Sequence, residues 1–308
     1  MTVVALCSAK GAPGVTTLAC LLGAVWPSPL SVVVAECDPS GGDLAARFGF
    51  DSQVGMASFV LASRQAAATV SSRPHVQKMP GGLEVLVGGP TAEAARAVDA
   101  ELAGIAALFK LGSDVVVDCG RVLADTPGQR LVLTHADVVV VVGADDVAAV
   151  VHIAALVDRL SRTISGALGL AVVGGTRGHA VEVAGATGTE LAASIPIDQG
   201  TAAIVRGEPG RRRRLLHAPL VESAETVRRW VVQKCAHQQT ESKPNQMGAS
   251  KGTVSTTMAP DCFVVDGGPT VPPAGSLWGM AMPVVPGSGL VSVSDPFGQD
   301  RSAGKERS

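Results

Sequence analysis

A doubly wound α/β fold with a mostly parallel sheet flanked by helices is the architecture that this 308-residue sequence predicts. Three observations carry that expectation. Short valine-rich runs recur through the first two-thirds of the chain, each apolar almost without interruption, and strands of this kind are buried on both faces by covering helices. Longer alanine-rich stretches with helical spacing lie between them, and a β-α-β-α alternation winds into this fold class. Aromatic residues make up only 3% of the chain and tyrosine is absent, so the core must come from Val, Leu, Ile and Ala.

The elements follow in order. Residues 3–7, 31–36, 114–118, 137–142 and 168–173 read as strands, with 83–87 and 191–195 as two more. A helix over 16–25 follows the first strand directly. Residues 91–108 open on Thr91, a good N-cap, and are rich in alanine. Over 145–160, Val147, Val150, Val151, Ala154 and Val157 fall on one face and predict the side that packs inward. A last helix over 220–235 carries the stripe Val221, Ala224, Val227 and Val231, with Glu225 one turn before Arg229 and able to pair with it. Its polar face holds Glu222 and Glu225 beside arginines, which suits docking on the sheet better than lying on a membrane.

After about residue 237 the composition turns to Gln, Ser, Thr, Gly and Pro without a sustained period. Two segments are therefore expected: a folded domain over 1–236 and a disordered tail over 237–308. Small apolar clusters at 262–265 and 277–285 are candidate docking points for a partner.

With 46% hydrophobic and 17% charged residues, the mean hydropathy of +0.32 raises the question of a membrane protein. A spanning helix needs about 20 unbroken apolar residues. The best stretch, 138–160, is interrupted by Asp145, Asp146, His152, Asp158 and Arg159. The start of the chain has no basic and apolar leader pattern, so a cytoplasmic protein is expected. A net charge of −2 gives no global attraction to nucleic acid or anionic lipid. Six cysteines, Cys7, Cys20, Cys37, Cys119, Cys235 and Cys262, form no CxxC pair. Cys7, Cys37 and Cys119 sit near strand ends, where a redox or metal role competes with ordinary burial of a small side chain.

The stretch that carries chemistry is Ser8-Ala9-Lys10-Gly11-Ala12-Pro13-Gly14-Val15-Thr16-Thr17, between a strand and a helix. Small residues there let backbone N–H groups converge on phosphate oxygens, and the helix N-terminus adds its positive dipole end. Against the phosphate-loop pattern, Ala9, Gly14 and Thr16 match, but the lysine position holds Val15.

The loop resembles the deviant Walker A motif of the MinD/ParA group of P-loop ATPases. Lys10 occupies the place of the group's additional signature lysine; Gly11, Gly14 and Thr16 match, Ala12 replaces a glycine, and Val15 replaces the Walker lysine. Glu36-Cys37-Asp38-Pro39 resembles the D-x-D-P segment after strand two, and Val115-Val116-Val117-Asp118 the Walker B strand. Residues 136–143 with Asp145, and Ser194-Ile195-Pro196-Ile197-Asp198, continue the likeness, which covers roughly residues 1–235.

The resemblance implies a P-loop NTPase fold binding ATP and Mg²⁺. It assigns residues Lys10, Gly11, Ala12, Pro13, Gly14, Val15, Thr16 and Thr17 to the nucleotide, Thr16 and Asp118 to magnesium, and Asp38 to positioning the attacking water. It also implies a homodimer in which Lys10 reaches the partner's phosphates, and a protein partner in a positioned assembly such as a pilus or secretion apparatus, the septum or DNA. Loss of the Walker lysine removes a charge-assisted hydrogen bond worth about 1.5–3 kcal/mol, which predicts at most slow ATP hydrolysis. The substitution is similar to that in the TadZ/CpaE branch, whose members help to localise machinery. A non-hydrolysing scaffold and a ParA-type DNA-partition protein remain alternatives. The latter would use Arg211, Arg212, Arg213 and Arg214, a run that a solvated basic loop also explains. The family's asparagine after the strand at 168–173, which helps recognise adenine, is replaced by Gly174-Gly175.

Overall fold

A computed structural model describes residues 1–11, 13–27, 31–65, 71–208 and 217–241. Its strands are β1 (Val3–Ser8), β2 (Val32–Glu36), β3 (Gln77–Lys78), β4 (Glu84–Leu86), β5 (Asp114–Arg121), β6 (Val138–Ala144), β7 (Ala167–Val173) and β8 (Glu190–Ile195). The helices are α1 (Val15–Ala24), α2 (Leu44–Phe48), α3 (Met56–Gln65), α4 (Ala92–Asp99), α5 (Leu102–Ala107), α6 (Pro127–His135), α7 (Val147–Ser161), α8 (Arg177–Thr187), α9 (Gln199–Val205) and α10 (Pro219–Glu241).

The strands form one eight-stranded sheet in the order β3-β4-β2-β5-β1-β6-β7-β8. Among the described residues, only the short β3 runs antiparallel, against β4. Alternate residues of the valine strands serve opposite faces, as the period of a strand requires. Val4 and Leu6 of β1 join the core under α1 and α10, whereas Val3, Ala5 and Cys7 join the core under α3, α5, α7 and α8. Each fully buried Val or Leu contributes about 1.5–3 kcal/mol, so the double layer of aliphatic side chains makes most of the core, with Phe59, Trp26 and Trp230 buried among them.

β1 lies between β5 and β6. From it the chain winds first toward β2 and later, through β6, in the opposite direction. Such a reversal opens a crevice at the strands' carboxyl ends, where ligands of this fold class bind.

Three expectations need revision. Residues 91–108 are not one helix: Thr91 caps α4 as expected, but the chain breaks after Asp99, and Glu101 leaves helical geometry before α5. The cause is Asp99, whose side chain is buried and accepts hydrogen bonds from the N–H groups of Gly128 and Gln129. The inward stripe of α7 is also different. Asp146 caps this helix through the N–H of Ala149, and the buried residues are Ile153, Leu156, Val157 and Leu160. The larger side chains take the core because burial energy grows with apolar area, and Val147 and Val151 are left 83% and 64% exposed. Finally, α10 runs six residues past the expected end at 235, to Glu241, and Arg229 donates to the Thr226 hydroxyl. Its inward face is Leu220, Ala224, Val227, Trp230 and Val231. Among the described residues, no helix is long and apolar enough to cross a membrane.

Candidate functional site

The loop between β1 and α1 stands over the centre of the sheet, at the crevice. Gly14 takes the N-cap position of α1 in a left-handed conformation (φ 96°, ψ 28°), and no side chain caps the helix. The first N–H groups of α1 are thus left for a ligand, and the helix dipole favours an anion there. Gly11 is likewise left-handed (φ 69°). Lys10 and Gly11 are exposed; Pro13, Gly14, Thr16 and Thr17 are half-buried. Ala12 lies outside the described residues. Val15 is only 5% exposed and belongs to the same apolar cluster as Leu6, Leu18 and Val116. Its side chain fills core and supplies nothing polar to the loop.

Three carboxylates gather on the β2–β5 side. Cys37 N–H donates to the Asp118 carbonyl at 2.8 Å, which carries the ladder beyond β2 and places Asp38 beside the end of β5. Glu36 is buried and wholly engaged: Oε1 accepts from the N–H groups of Asp43 (2.7 Å) and Leu44 (3.1 Å), and Oε2 from Gly88 (2.9 Å). It ties β2, the start of α2 and the end of β4 together. Burial raises its pKa against the pull of those three donors. Asp38 is half-buried, accepts from Ser40 N–H at 2.7 Å, and is raised chiefly by burial.

Asp118 is 1% exposed, and only one of its oxygens is satisfied. Oδ1 accepts from Gly120 N–H at 3.0 Å, whereas Oδ2 is buried without a hydrogen-bond partner. Burial pushes its pKa up to about 7; the nearby Thr16 hydroxyl, outside hydrogen-bond geometry to Oδ2, and Gly120 N–H oppose the rise, while Glu36 and Asp38 add to it. An unpartnered carboxylate oxygen beside a hydroxyl is a hard-oxygen donor set that suits Mg²⁺, which keeps several waters and needs few protein ligands. Thr16 and Asp118 fit that role. Among the described residues, no group of three or more His, Cys, Asp and Glu side chains is arranged to hold a metal ion.

The β6 side is open. A pocket of about 320 Å³ lies between the loop and α7, lined by Lys10, Gly11, Pro13, Gly143, Asp146 and Ala149 among others. Val147 and Val151 stand on the outer side of α7, exposed and not among the residues that line the pocket. Farther along, Gly174 (φ 98°) and Gly175 (φ 60°) leave room for the Asp145 carboxylate, which would lie 2.8 and 2.2 Å from a Cβ at each position. Asp145 thus takes the space of a side chain at 174, with His179 Nδ1 at 3.3 Å. Asp198 caps α9, accepting from the Thr201 hydroxyl and N–H, and these bonds lower its pKa.

Comparisons with known proteins fit this geometry. A ParA family ATPase from Chlorobium tepidum superposes with a TM-score of 0.58 at 17% identity, over 75% of this chain and 98% of that one. MinD of Pyrococcus horikoshii, complexed with Mg-ADP, gives 0.59 at 16% over 77% and 98%. An ATP complex of a McdA variant from Cyanothece gives 0.58 at 15% over 77% and 96%. The fold is that of the MinD/ParA ATPases. No family model matches the sequence, and no curated protein matches it.

Within the MinD/ParA fold, sequence reasoning missed two side chains that organise the carboxylates. Gln129, from α6, binds the backbone at the end of β5, and Asp99, from α4, accepts from the Gly128 and Gln129 N–H groups at the start of α6. The only sequence signal nearby is Thr126-Pro127, a helix-start pattern that places α6 without revealing what Gln129 holds. Cys7 and Cys119 are buried and Cys37 half-buried, and burial pushes all three thiols up, so they act as small packing residues. Arg211, Arg212, Arg213 and Arg214, and the expected tail from 242 onward, lie outside the described residues.

Proposed function

We propose that this chain binds a magnesium nucleoside triphosphate, ATP by the likeness to the MinD/ParA ATPases, and acts as a dimerising switch in the positioning of a cellular assembly. The observation that carries the reading is Asp118 Oδ2, buried without a partner at the foot of an uncapped glycine loop. The loop over 10–17 holds the phosphates through its backbone N–H groups, Pro13 excepted because proline has none, Thr16 and Asp118 hold the cation, and Asp38 orients water. Bound Mg²⁺ supplies charge neutralisation of the β and γ phosphates.

Val15 cannot reach a phosphate, so the site lacks one positive charge. Lys10 is exposed at the loop's open side, and Val147 and Val151 of α7 are exposed to solvent. A second copy meeting the loop would bring its own Lys10 to the phosphates, and one that also reached the outer side of α7 would cover Val147 and Val151. Turnover is slow in this reading, because phosphoryl transfer rests on charge placement. The burial of Val15 in the core also favours a second reading, in which nucleotide is bound and not turned over and the protein is a localisation scaffold.

Nucleotide binding and turnover by wild type, Lys10→Ala and Val15→Lys test the proposal. Wild type is expected to bind Mg-ATP in the micromolar to millimolar range, and Lys10→Ala to reduce turnover about tenfold or more through loss of a charge-assisted bond. Absence of any ATP binding at millimolar concentration contradicts the proposal. Binding with no detectable turnover in wild type selects the scaffold reading. Unchanged behaviour of Lys10→Ala removes the contribution in trans.

A further inference from the structure

Gln129 is the third residue of α6, 1% exposed, and fully engaged. Its Nε2 donates to the carbonyls of Cys119 (2.6 Å) and Arg121 (2.8 Å). Its Oε1 accepts from Leu123 N–H (3.0 Å) and the Thr126 hydroxyl (2.9 Å). An amide side chain has two N–H donors and two lone pairs, so this set uses its whole capacity. All four bonds go to the segment between Asp118 and the start of α6.

One of them matters beyond the fold. The Cys119 carbonyl and the Gly120 N–H belong to the same planar peptide unit. Gln129 holds the oxygen end, and the N–H end donates to Asp118 Oδ1 at 3.0 Å. The same unit leads into Gly120 (φ 55°), where an added Cβ would fall 1.9 Å from Asp38 Oδ2. A single peptide therefore sets the orientation of Asp118 and forms the floor under Asp38. Glycine can adopt the alternative peptide orientation at little cost, and a flip would withdraw the N–H from Asp118. Gln129 opposes the flip, and is itself fixed by Asp99, which accepts from the N–H groups of Gln129 (2.6 Å) and Gly128 (3.2 Å).

We infer that Gln129 is a positioning residue for the cation site: by gripping the 119–120 peptide it keeps Asp118 Oδ1 occupied and Oδ2 free for Mg²⁺. The inference rests on the magnesium-nucleotide reading above. Groups that orient a ligating carboxylate typically alter metal affinity about 10- to 100-fold when removed.

The test uses the full-length protein, with Mn²⁺ affinity in the presence of nucleotide read by electron paramagnetic resonance. Nucleotide affinity is measured in Mg²⁺ and in EDTA. Gln129→Met is expected to weaken Mn²⁺ binding about 10- to 100-fold while leaving affinity in EDTA nearly unchanged, a separation that a merely structural role would not produce. Asp99→Asn is expected to shift Mn²⁺ affinity in the same direction by a smaller factor, and it decides the matter by the same criterion if Gln129→Met does not fold. A folded Gln129→Met with wild-type Mn²⁺ affinity, or with equal losses in Mg²⁺ and EDTA, overturns the positioning role while leaving the nucleotide reading intact. Wild type binding neither nucleotide nor Mn²⁺ at millimolar concentration overturns both.

Discussion

The two sides of the loop differ in how complete they are. Toward β2 and β5 the site is packed and cross-linked: Glu36 and Gln129 have all their partners within the chain, and Asp118 keeps one oxygen open beside Thr16. Toward β6 and α7 it is open: Lys10 is exposed, the pocket beside it is wide, and Val147 and Val151 face solvent. The contrast teaches how one chain can divide its labour. In the proposed function, the cation side is preorganised by its own hydrogen bonds, and the lysine side is where a second copy would close.

Changes on the cation side should have the largest effect. Asp118→Asn removes the open carboxylate and is expected to reduce Mg²⁺-dependent nucleotide affinity about a hundredfold, measured by titration in Mg²⁺ and EDTA. Retention of the Mg²⁺ dependence would break the assignment. Gly120→Ala comes next. Its Cβ would collide with Asp38 at a positive φ, and the strain alone costs about 1–3 kcal/mol. Urea unfolding should show that loss, together with reduced turnover wherever wild-type turnover is detectable.

On the open side, Val147→Asp with Val151→Asp should abolish nucleotide-dependent self-association. Monomer stability should stay within about 0.5 kcal/mol, as for surface changes generally. Equal association by the double variant would detach the exposed valines from the interface. The smallest effect is a pH slope. Burial raises Glu36 above its ordinary value of 4.5, so the unfolded chain loses that proton first as pH rises. The stability that this group contributes is full below 4.5 and declines until the folded carboxyl ionises. Urea midpoints across that range should fall with pH in wild type and lose this component in Glu36→Gln.

The same division governs what the sequence makes legible. Valine runs announce the central strands because both faces of a parallel sheet are apolar, and the loop announces itself because Gly11, Gly14 and Thr16 are neighbours in the chain. Asp38 and Asp118 stand out for the same local reason, each following closely on a short apolar run, although Asp38 lies just past β2 and Asp118 within β5. What cannot be read is made by distant residues. Asp99 reaches the start of α6, about thirty positions on, and in doing so breaks the helix expected over 91–108. Gln129 looks like an ordinary polar residue in the first turn of a helix. The phase of α7 is misread because Val147 and Val151 fit an apolar stripe as well as Ile153 and Leu156 do. Only packing on the sheet decides between them.

Sedimentation velocity of wild type and Lys10→Ala, each with and without Mg-ATP, tests the division most directly. Wild type should move from monomer to dimer when nucleotide is bound, and Lys10→Ala should bind nucleotide and remain monomeric. Nucleotide co-sedimenting with a wild-type monomer at all protein concentrations would contradict the account.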